Sequence, residues 1–165
     1  ASYGHGISIT PIAVLRSYAA IANGGYLINP YVVETTKSSD GTYGAVNKQD
    51  IFQESIIKPS TAKTITDMMI KVVEDGYGSS AKVKGYSMAG KTGTADIFRG
   101  GGYTDDTIQS FAGFFPAYKP KVAMLVMLNK PAIGMTASTS VTYGFHDMAK
   151  FIIDYYNLPP DEPLN

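Results

Sequence analysis

The residues best equipped for chemistry sit together at Gly90-Lys91-Thr92-Gly93-Thr94. A cation, hydroxyls and glycines this close admit three readings. With the residues before it, Gly85-Tyr86-Ser87-Met88-Ala89-Gly90-Lys91-Thr92 satisfies G-x-x-x-x-G-K-[ST], the loop that cradles nucleotide phosphates. That mechanism needs an apolar strand before the loop and a helix opening at the Lys, so that backbone N–H groups face the phosphates. Ala81-Lys82-Val83-Lys84 is half charged, and Gly93-Thr94-Ala95-Asp96 runs into Phe98, Arg99 and a glycine run, which is poor helix material. Read instead as an exposed strand, alternation puts Lys91 and Gly93 on one side and Thr92 and Thr94 on the other. Such a strand offers a cation and hydroxyl donors to a peptide's terminal carboxylate, and a glycine beside which a second backbone can lie. A backbone N–H of the same strand can also face a developing oxyanion. The third reading is a plain surface strand with β-prone threonines.

The other chemically able residues are sparse. His5 and His146 are the only histidines, and neither has a second ligand at metal spacing, so both read as satisfied or surface groups. With no Cys, disulfides, thiol catalysis and Cys-based zinc sites are all excluded. Asp105-Asp106 reads as a solvated turn, with substrate contact as the alternative. Arg99 suits pairing with a carboxylate at the strand's end. Tyr103 is a candidate wall for an acceptor groove, and Met68-Met69 reads as core filling.

Elements must hold these residues in place. Thr10 followed by Pro11 opens a helix, with Ile12, Leu15, Ala19 and Ala22 at helical spacing until Asn23-Gly24-Gly25. Residues 31–36 and 43–47, split by Ser38-Ser39-Asp40-Gly41, read as a hairpin or a strand pair. Ser60 is the expected cap of a second helix carrying Ile65, Met68, Met69, Val72 and Val73 on one stripe and ending at Gly76. Residues 87–97 look extended, followed by strands at 108–115 and 121–128 with a turn at 116–120. Both parities of 122–128 are apolar, so that strand is expected to be covered on both faces. A last helix carries Phe145, Met148, Ala149, Ile152, Ile153 and Tyr156. Strand pairs with tight turns between helices indicate the α+β class, an antiparallel sheet flanked by helices.

Composition excludes much else. At 165 residues the chain is one ordinary domain, a size at which folding hides roughly 68–70% of the unfolded surface. Charged residues make up 17%, and 14 basic and 14 acidic residues cancel, which argues against disorder and against a nucleic-acid partner. The longest wholly apolar run, 122–128, is far short of a membrane span. The chain opens at Ala-Ser-Tyr without a Met, and reads as a piece of a longer protein whose targeting segment lies upstream.

Met88-Ala89-Gly90-Lys91-Thr92-Gly93-Thr94-Ala95 resembles the third active-site motif of penicillin-binding proteins. The opening Tyr3-Gly4-His5-Gly6-Ile7-Ser8-Ile9-Thr10-Pro11, then Tyr18-Ala19-Ala20-Ile21-Ala22-Asn23-Gly24-Gly25, is similar to the segment that precedes that motif. Ser110-Phe111-Ala112-Gly113-Phe114-Phe115-Pro116-Ala117 is similar to the strand that follows it. The resemblance covers nearly the whole chain in the right order, and points to the transpeptidase domain of the class B, division or elongation type.

It implies the penicillin-binding protein and serine β-lactamase-like fold, and a serine acyltransferase that cross-links peptidoglycan stem peptides without a cofactor or metal. β-Lactam antibiotics would acylate the same serine, on the extracytoplasmic face of the membrane. By the same resemblance Lys91 supplies positive potential at the substrate carboxylate, and the Thr92 and Thr94 hydroxyls bind it. Gly93 keeps the strand clear, and the Thr94 backbone N–H forms half of the oxyanion hole. A D,D-carboxypeptidase, a β-lactamase or a penicillin sensor of the same fold is the alternative.

The family's two earlier motifs are S-x-x-K, carrying the nucleophile, and S-x-N. No S-x-N occurs in the chain. Ser55-Ile56-Ile57-Lys58 satisfies S-x-x-K, but Pro59 disfavours the helical region at Lys58, and the serine follows the opening segment instead of preceding it. The expectation is therefore that residues 1–165 are the C-terminal portion of the domain, with no nucleophile in the chain and no activity alone. The upstream half is then its natural partner, and self-association through a bare sheet edge is expected without it.

Overall fold

The computed structural model describes residues 6–45, 50–131 and 135–163. Helix α1 (Pro11–Ala22) starts as expected, the Thr10 hydroxyl accepting from the Ala13 N–H and Pro11 standing in the first turn. It stops at Asn23, after which Gly24 and Gly25 both take positive φ. At Gly25 the glycine is obligatory, since a Cβ there would stand 2.0 Å from the Ile57 carbonyl oxygen. This contact seats β1 (Tyr26–Asn29) antiparallel to β4 (Asp50–Ser55). That pair carries no strong alternation, and the sequence reading missed it. Between them β2 (Thr35–Lys37) and β3 (Tyr43–Ala45) form the expected hairpin, shorter than foreseen. Residues 31–34 stay outside the strand, and 46–47 lie outside the described residues.

Helix α2 (Pro59–Glu74) corrects the capping expectation. Pro59, not Ser60, begins it, and Lys58 occupies the cap position with no side-chain bond. A proline suits the first helical turn whatever follows it, so it set the boundary one residue ahead of the hydroxyl. Met69 is buried as expected, but Met68 is 62% exposed and is not core filling.

The main sheet is a meander of β5 (Ala89–Arg99), β6 (Gly102–Phe115) and β7 (Val122–Asn129), all antiparallel, in the order β5-β6-β7. Gly100 and Gly101, both at positive φ, join β5 to β6 in a two-residue hairpin loop of the kind that follows strand twist. The register sets Gly90 opposite Gly113, Thr92 opposite Phe111, Gly93 opposite Ser110 and Thr94 opposite Gln109.

Alternation then sorts the core into two layers. On one face Phe111 and Phe115 meet Phe145 of α3 (Val141–Tyr156), with ring centroids 4.7 and 6.0 Å apart in edge-to-face packing. On the other, Ala89 and Phe114 pack with Met69 and Ile70 of α2 and Tyr18 and Ile21 of α1. The Phe111 ring lies over Gly90 so closely that a Cβ there would be 2.3 Å from its Cζ. The α3 stripe holds at Phe145, Ala149 and Ile153, but Met148 and Tyr156 are exposed. Strand β7 is half-buried from Val122 to Val126, while Met127 and Leu128 are 40% and 41% exposed, so its covering is incomplete.

Candidate active-site strand

Lys91 is the third residue of β5, inside a strand and not at the mouth of a helix. That removes the phosphate-loop reading, because no run of helical N–H groups follows the Lys. The segment is the exposed edge strand of the second reading. Lys91 and Gly93 share the face of α1 and α2, while Thr92 and Thr94 share the face of α3. Both Lys91 and Thr94 are exposed. The Lys91 ammonium donates to the Thr92 carbonyl at 2.8 Å and to the Thr92 hydroxyl at 3.3 Å, which draws cation and hydroxyl together at the strand edge. Strand geometry gives Thr92 and Thr94 the same backbone direction, so the Thr94 N–H points to the same side as the Thr92 N–H and carbonyl. At Gly93 a Cβ would stand 2.6 Å from the Ser110 hydroxyl, so a side chain there would have to displace that hydroxyl.

The lead into this strand is pinned by the chain's end. The buried Ser87 donates its N–H to Asp161 Oδ1 at 2.8 Å and its hydroxyl to Asp161 Oδ2, while its Oγ accepts from the Ala117 N–H at 2.9 Å. The Asp161 and Glu162 N–H groups both donate to the Gly85 carbonyl at 3.1 Å, and the Tyr86 hydroxyl donates to the Leu158 carbonyl at 2.7 Å. The C-terminal tail thus fixes where β5 begins.

The remaining candidates fall away from this centre. His146 Nδ1 lies 2.7 Å from the Lys82 carbonyl, a satisfied histidine, and His5 lies outside the described residues. Among the described residues no group of three metal-ligating side chains exists. Asp105 and Asp106 are strand residues of β6, not a turn. The glycines form so tight a loop that pairing starts at Gly102. Asp106 pairs with Lys130, and Arg99 adds to its field. Tyr103 stands edge-to-face with Phe98 at 5.3 Å near the hairpin tip, several residues along β5 from Lys91. Ser55 ends strand β4 and Lys58 is extended at φ −60 and ψ 143, so the two do not share a helical face.

Two further matches to S-x-x-K escaped that reading, although spacing alone reveals them: Ser60-Thr61-Ala62-Lys63 on α2 and Ser79-Ser80-Ala81-Lys82 on the short 3-10 turn Ser79–Ala81. Neither is built for nucleophilic catalysis. A hydrogen bond to Asp67 at 2.7 Å raises the pKa of Lys63, and one to Glu74 at 2.6 Å raises that of Lys82. A general base needs the opposite shift, toward a neutral amine. Gln109 was also missed. It is a fully buried amide on β6 opposite Thr94, and its signal was a polar residue sharing the parity of Phe111 and Phe115 in an apolar strand.

The geometry has clear relatives. The profile of the penicillin binding protein transpeptidase domain matches residues 1–148. Penicillin-binding protein PbpB of Mycolicibacterium smegmatis is 32% identical over 177 residues, covering 98% of this chain and 27% of its own length. Stage V sporulation protein D of Bacillus subtilis is 36% identical over 132 residues, covering 79% of this chain and 20% of its own. The crystal structure of penicillin binding protein 3 from Mycobacterium tuberculosis, complexed with ampicillin, superposes with a TM-score of 0.84 at 31% identity, over 97% of this chain and 38% of that one. The chain spans less than a third of the length of these two curated relatives. Sequence, register and superposition agree, and the chain belongs to the penicillin-binding protein transpeptidase domain family, among the class B proteins.

Proposed function

We propose that this chain is the C-terminal portion of a peptidoglycan D,D-transpeptidase and that β5 is its substrate-holding edge. In that reaction a serine oxygen attacks the carbonyl of the penultimate D-Ala of a stem peptide and expels the last D-Ala as the amine. An amine of a neighbouring stem peptide then displaces the serine. Lys91 supplies the positive potential for the terminal carboxylate, and the Thr92 and Thr94 hydroxyls bind it. The Thr94 N–H serves as half of the oxyanion hole, where a donor is worth about 2.7–4 kcal/mol of transition-state stabilisation. A β-lactam carboxylate and carbonyl would occupy the same places. The nucleophile and the S-x-N serine come from the portion upstream of residue 1, and the chain alone is inactive.

The observation that carries this reading is the Lys91 ammonium held 3.3 Å from the Thr92 hydroxyl on an exposed, glycine-flattened strand edge. The relatives' names, which include a peptidoglycan D,D-transpeptidase of Mesostigma viride 29% identical to this chain, support the reaction. An extracytoplasmic location follows from that substrate; among the described residues no helix is long and apolar enough to cross a membrane. In this reading the upstream half docks beside β7. Strand β7 has an apolar outer edge, and a groove of about 760 Å³ lies beside it, lined by Val122, Phe151, Ile152 and Tyr155 among others. Without that half, the same surface favours a dimer.

The test is a labelled penicillin, with the intact mass of the denatured protein as readout. The 165-residue chain should gain no adduct, and a version extended upstream through the missing motifs should gain one. An adduct on Ser55, Ser60 or Ser79 of the short chain would overturn the assignment of the nucleophile. No adduct on the extended protein would overturn the function.

A further inference from the structure

We propose that Gln109 is a positioning residue for the bound carboxylate: acting through residues 135–140, it makes the Thr94 hydroxyl a fixed proton donor. This rests on the reading of β5 as a carboxylate-holding strand.

Gln109 sits on β6 directly opposite Thr94 and is fully buried. A buried amide is costly unless its donors and acceptor are met, and here one segment meets most of them. Gln109 Nε2 donates to the Met135 carbonyl at 2.6 Å and to the Thr107 hydroxyl at 3.4 Å, while Oε1 accepts from the Ser140 hydroxyl. A carbonyl facing one end and a hydroxyl facing the other leave the amide one sensible orientation. Both ends of the 135–140 segment are therefore gripped by a single side chain.

Between those anchors the segment is folded on itself. The Thr139 N–H donates to the Thr136 carbonyl at 3.0 Å, and the Thr136 N–H donates to the Thr139 hydroxyl at 3.1 Å. The turn Ala137–Thr139 that results directs the Ala137 N–H at Thr94 Oγ1, 3.4 Å away. At that length the bond contributes direction more than energy.

The direction matters because a hydroxyl has one proton and two lone pairs. A backbone N–H can only donate, so the Thr94 hydroxyl cannot send its proton toward Ala137. Lys91 imposes the same polarity on Thr92, since an ammonium has no acceptor. Among the described residues neither hydroxyl donates to the protein. Two neighbouring hydroxyls on one face thus offer protons outward, which suits a carboxylate, whose two oxygens both accept, better than a carboxamide, which has one accepting oxygen. For Thr92 the polarity is set by its neighbour. For Thr94 it is set from inside the sheet, by Gln109.

The experiment titrates the 165-residue chain with N-acetyl-D-alanyl-D-alanine and, separately, with its C-terminal amide, following the Thr92 and Thr94 amide signals by NMR. The readout is the ratio of the two affinities; the Lys91 charge also feeds that ratio, so the Thr94→Val background isolates the share carried by the hydroxyl. The wild-type chain should prefer the acid by about tenfold or more, as expected for charge-assisted bonds. Gln109→Met, close in volume, should cut that preference to about threefold or less, and Ser140→Ala should cut it in the same direction by less. In a Thr94→Val background Gln109→Met should change the ratio no further.

If Gln109→Met does not fold, Gln109→Leu is read beside Ser140→Ala: Ser140 makes no side-chain cap bond to α3, but its hydroxyl also bonds the Thr136 carbonyl at 2.8 Å, so a loss seen with Ser140→Ala alone counts against Gln109. A preference that survives both substitutions overturns the inference while leaving the carboxylate site intact. A wild-type chain that binds neither ligand, or binds both equally, overturns the site reading itself and this inference with it.

Discussion

The main sheet ends in two very different strands. Among the described residues neither β5 nor β7 pairs with anything beyond β6, so both present a row of backbone donors and acceptors. On β5 that row carries Lys91, Thr92, Gly93 and Thr94, and the Lys91 ammonium lies on the Thr92 carbonyl. A lysine on an edge is also the usual device against unwanted pairing, so under the proposed function one residue would serve both solubility and ligand charge. On β7 the row is Val122-Ala123-Met124-Leu125-Val126-Met127-Leu128, uncharged between Lys121 and Lys130. Grooves flank it on both faces, one against Phe151 and Tyr155 of α3 and one against Leu15 and Ala19 of α1. The edge proposed to take a small ligand carries charge and hydroxyls within its own row. The edge proposed to take more chain is uncharged within its row and has lysines only beyond its two ends, at Lys121 and Lys130.

The harshest way to break this contrast is to displace the ligand edge from the core. Gly90→Ala puts a methyl 2.3 and 2.6 Å from Phe111 ring atoms, and that ring is fully buried against Phe145. Overpacking here should cost about 3 kcal/mol, the upper end for such substitutions. Urea unfolding measures it, and a loss below about 1 kcal/mol would mean that the ring has room to move.

Next in size is the latch on the same strand. Asp161→Ala leaves the N–H and hydroxyl of the buried Ser87 without their carboxylate, at a cost of about 2 kcal/mol. Glu162→Ala is the control, because Glu162 reaches Gly85 only through its backbone N–H and should change little. Equal losses for the two would show that tail docking, not the Ser87 carboxylate bond, holds the start of β5.

The apolar edge has its own test. Met127→Lys, at an exposed position of β7, adds a charge inside the apolar row and should weaken self-association of the chain about tenfold, or 1.4 kcal/mol. Sedimentation or light scattering over a concentration series reads this. Thr94→Lys on the ligand edge should leave association unchanged, and if it weakens association as much, β5 and not β7 forms the contact.

What could be read from residues alone divides along the same line. The strand proposed as the ligand edge was legible because its signal is local: Lys91, Thr92, Gly93 and Thr94 are contiguous, and alternation alone assigns their faces. The helices were legible where a turn residue and a periodic stripe agreed, as at Thr10-Pro11. Where two signals competed at Pro59-Ser60, the proline's fixed φ decided the boundary. What stayed hidden is non-local. Asp161 reaches Ser87 across the whole sheet region, and Gln109 acquires meaning only when register sets it opposite Thr94. The exposure of Met68 and Met148 depends on how far each helix overhangs the sheet, which periodicity does not encode. The two overlooked S-x-x-K matches were plain in the sequence. Their lysines are tied to Asp67 and Glu74, which only the fold discloses.

The smallest expected effect lies where the two edges approach each other's ends. Lys130 follows β7, donates its N–H to the Thr107 carbonyl at 2.9 Å and pairs through its side chain with Asp106 on β6. The hydrogen bond from Lys130, with the charges of Lys130 and Arg99 behind it, holds the Asp106 carboxyl below its ordinary range. A depressed carboxylate contributes stability that is present above its unfolded pKa and is lost as pH falls through the folded value. Acidification from neutral pH to below the usual Asp range should therefore loosen Thr107 and Lys130 first, seen as faster amide exchange or shifting NMR signals. The apolar stretch of β7 from Val122 to Val126 has no titrating group and should hold its signals over that window. Both side chains are more than a third exposed, so salt should shrink the effect, and Asp106→Asn should abolish it. An acid transition at Lys130 that survives Asp106→Asn would mean that the end of β7 is coupled to another carboxylate, and that the two edges are less separate than their chemistry suggests.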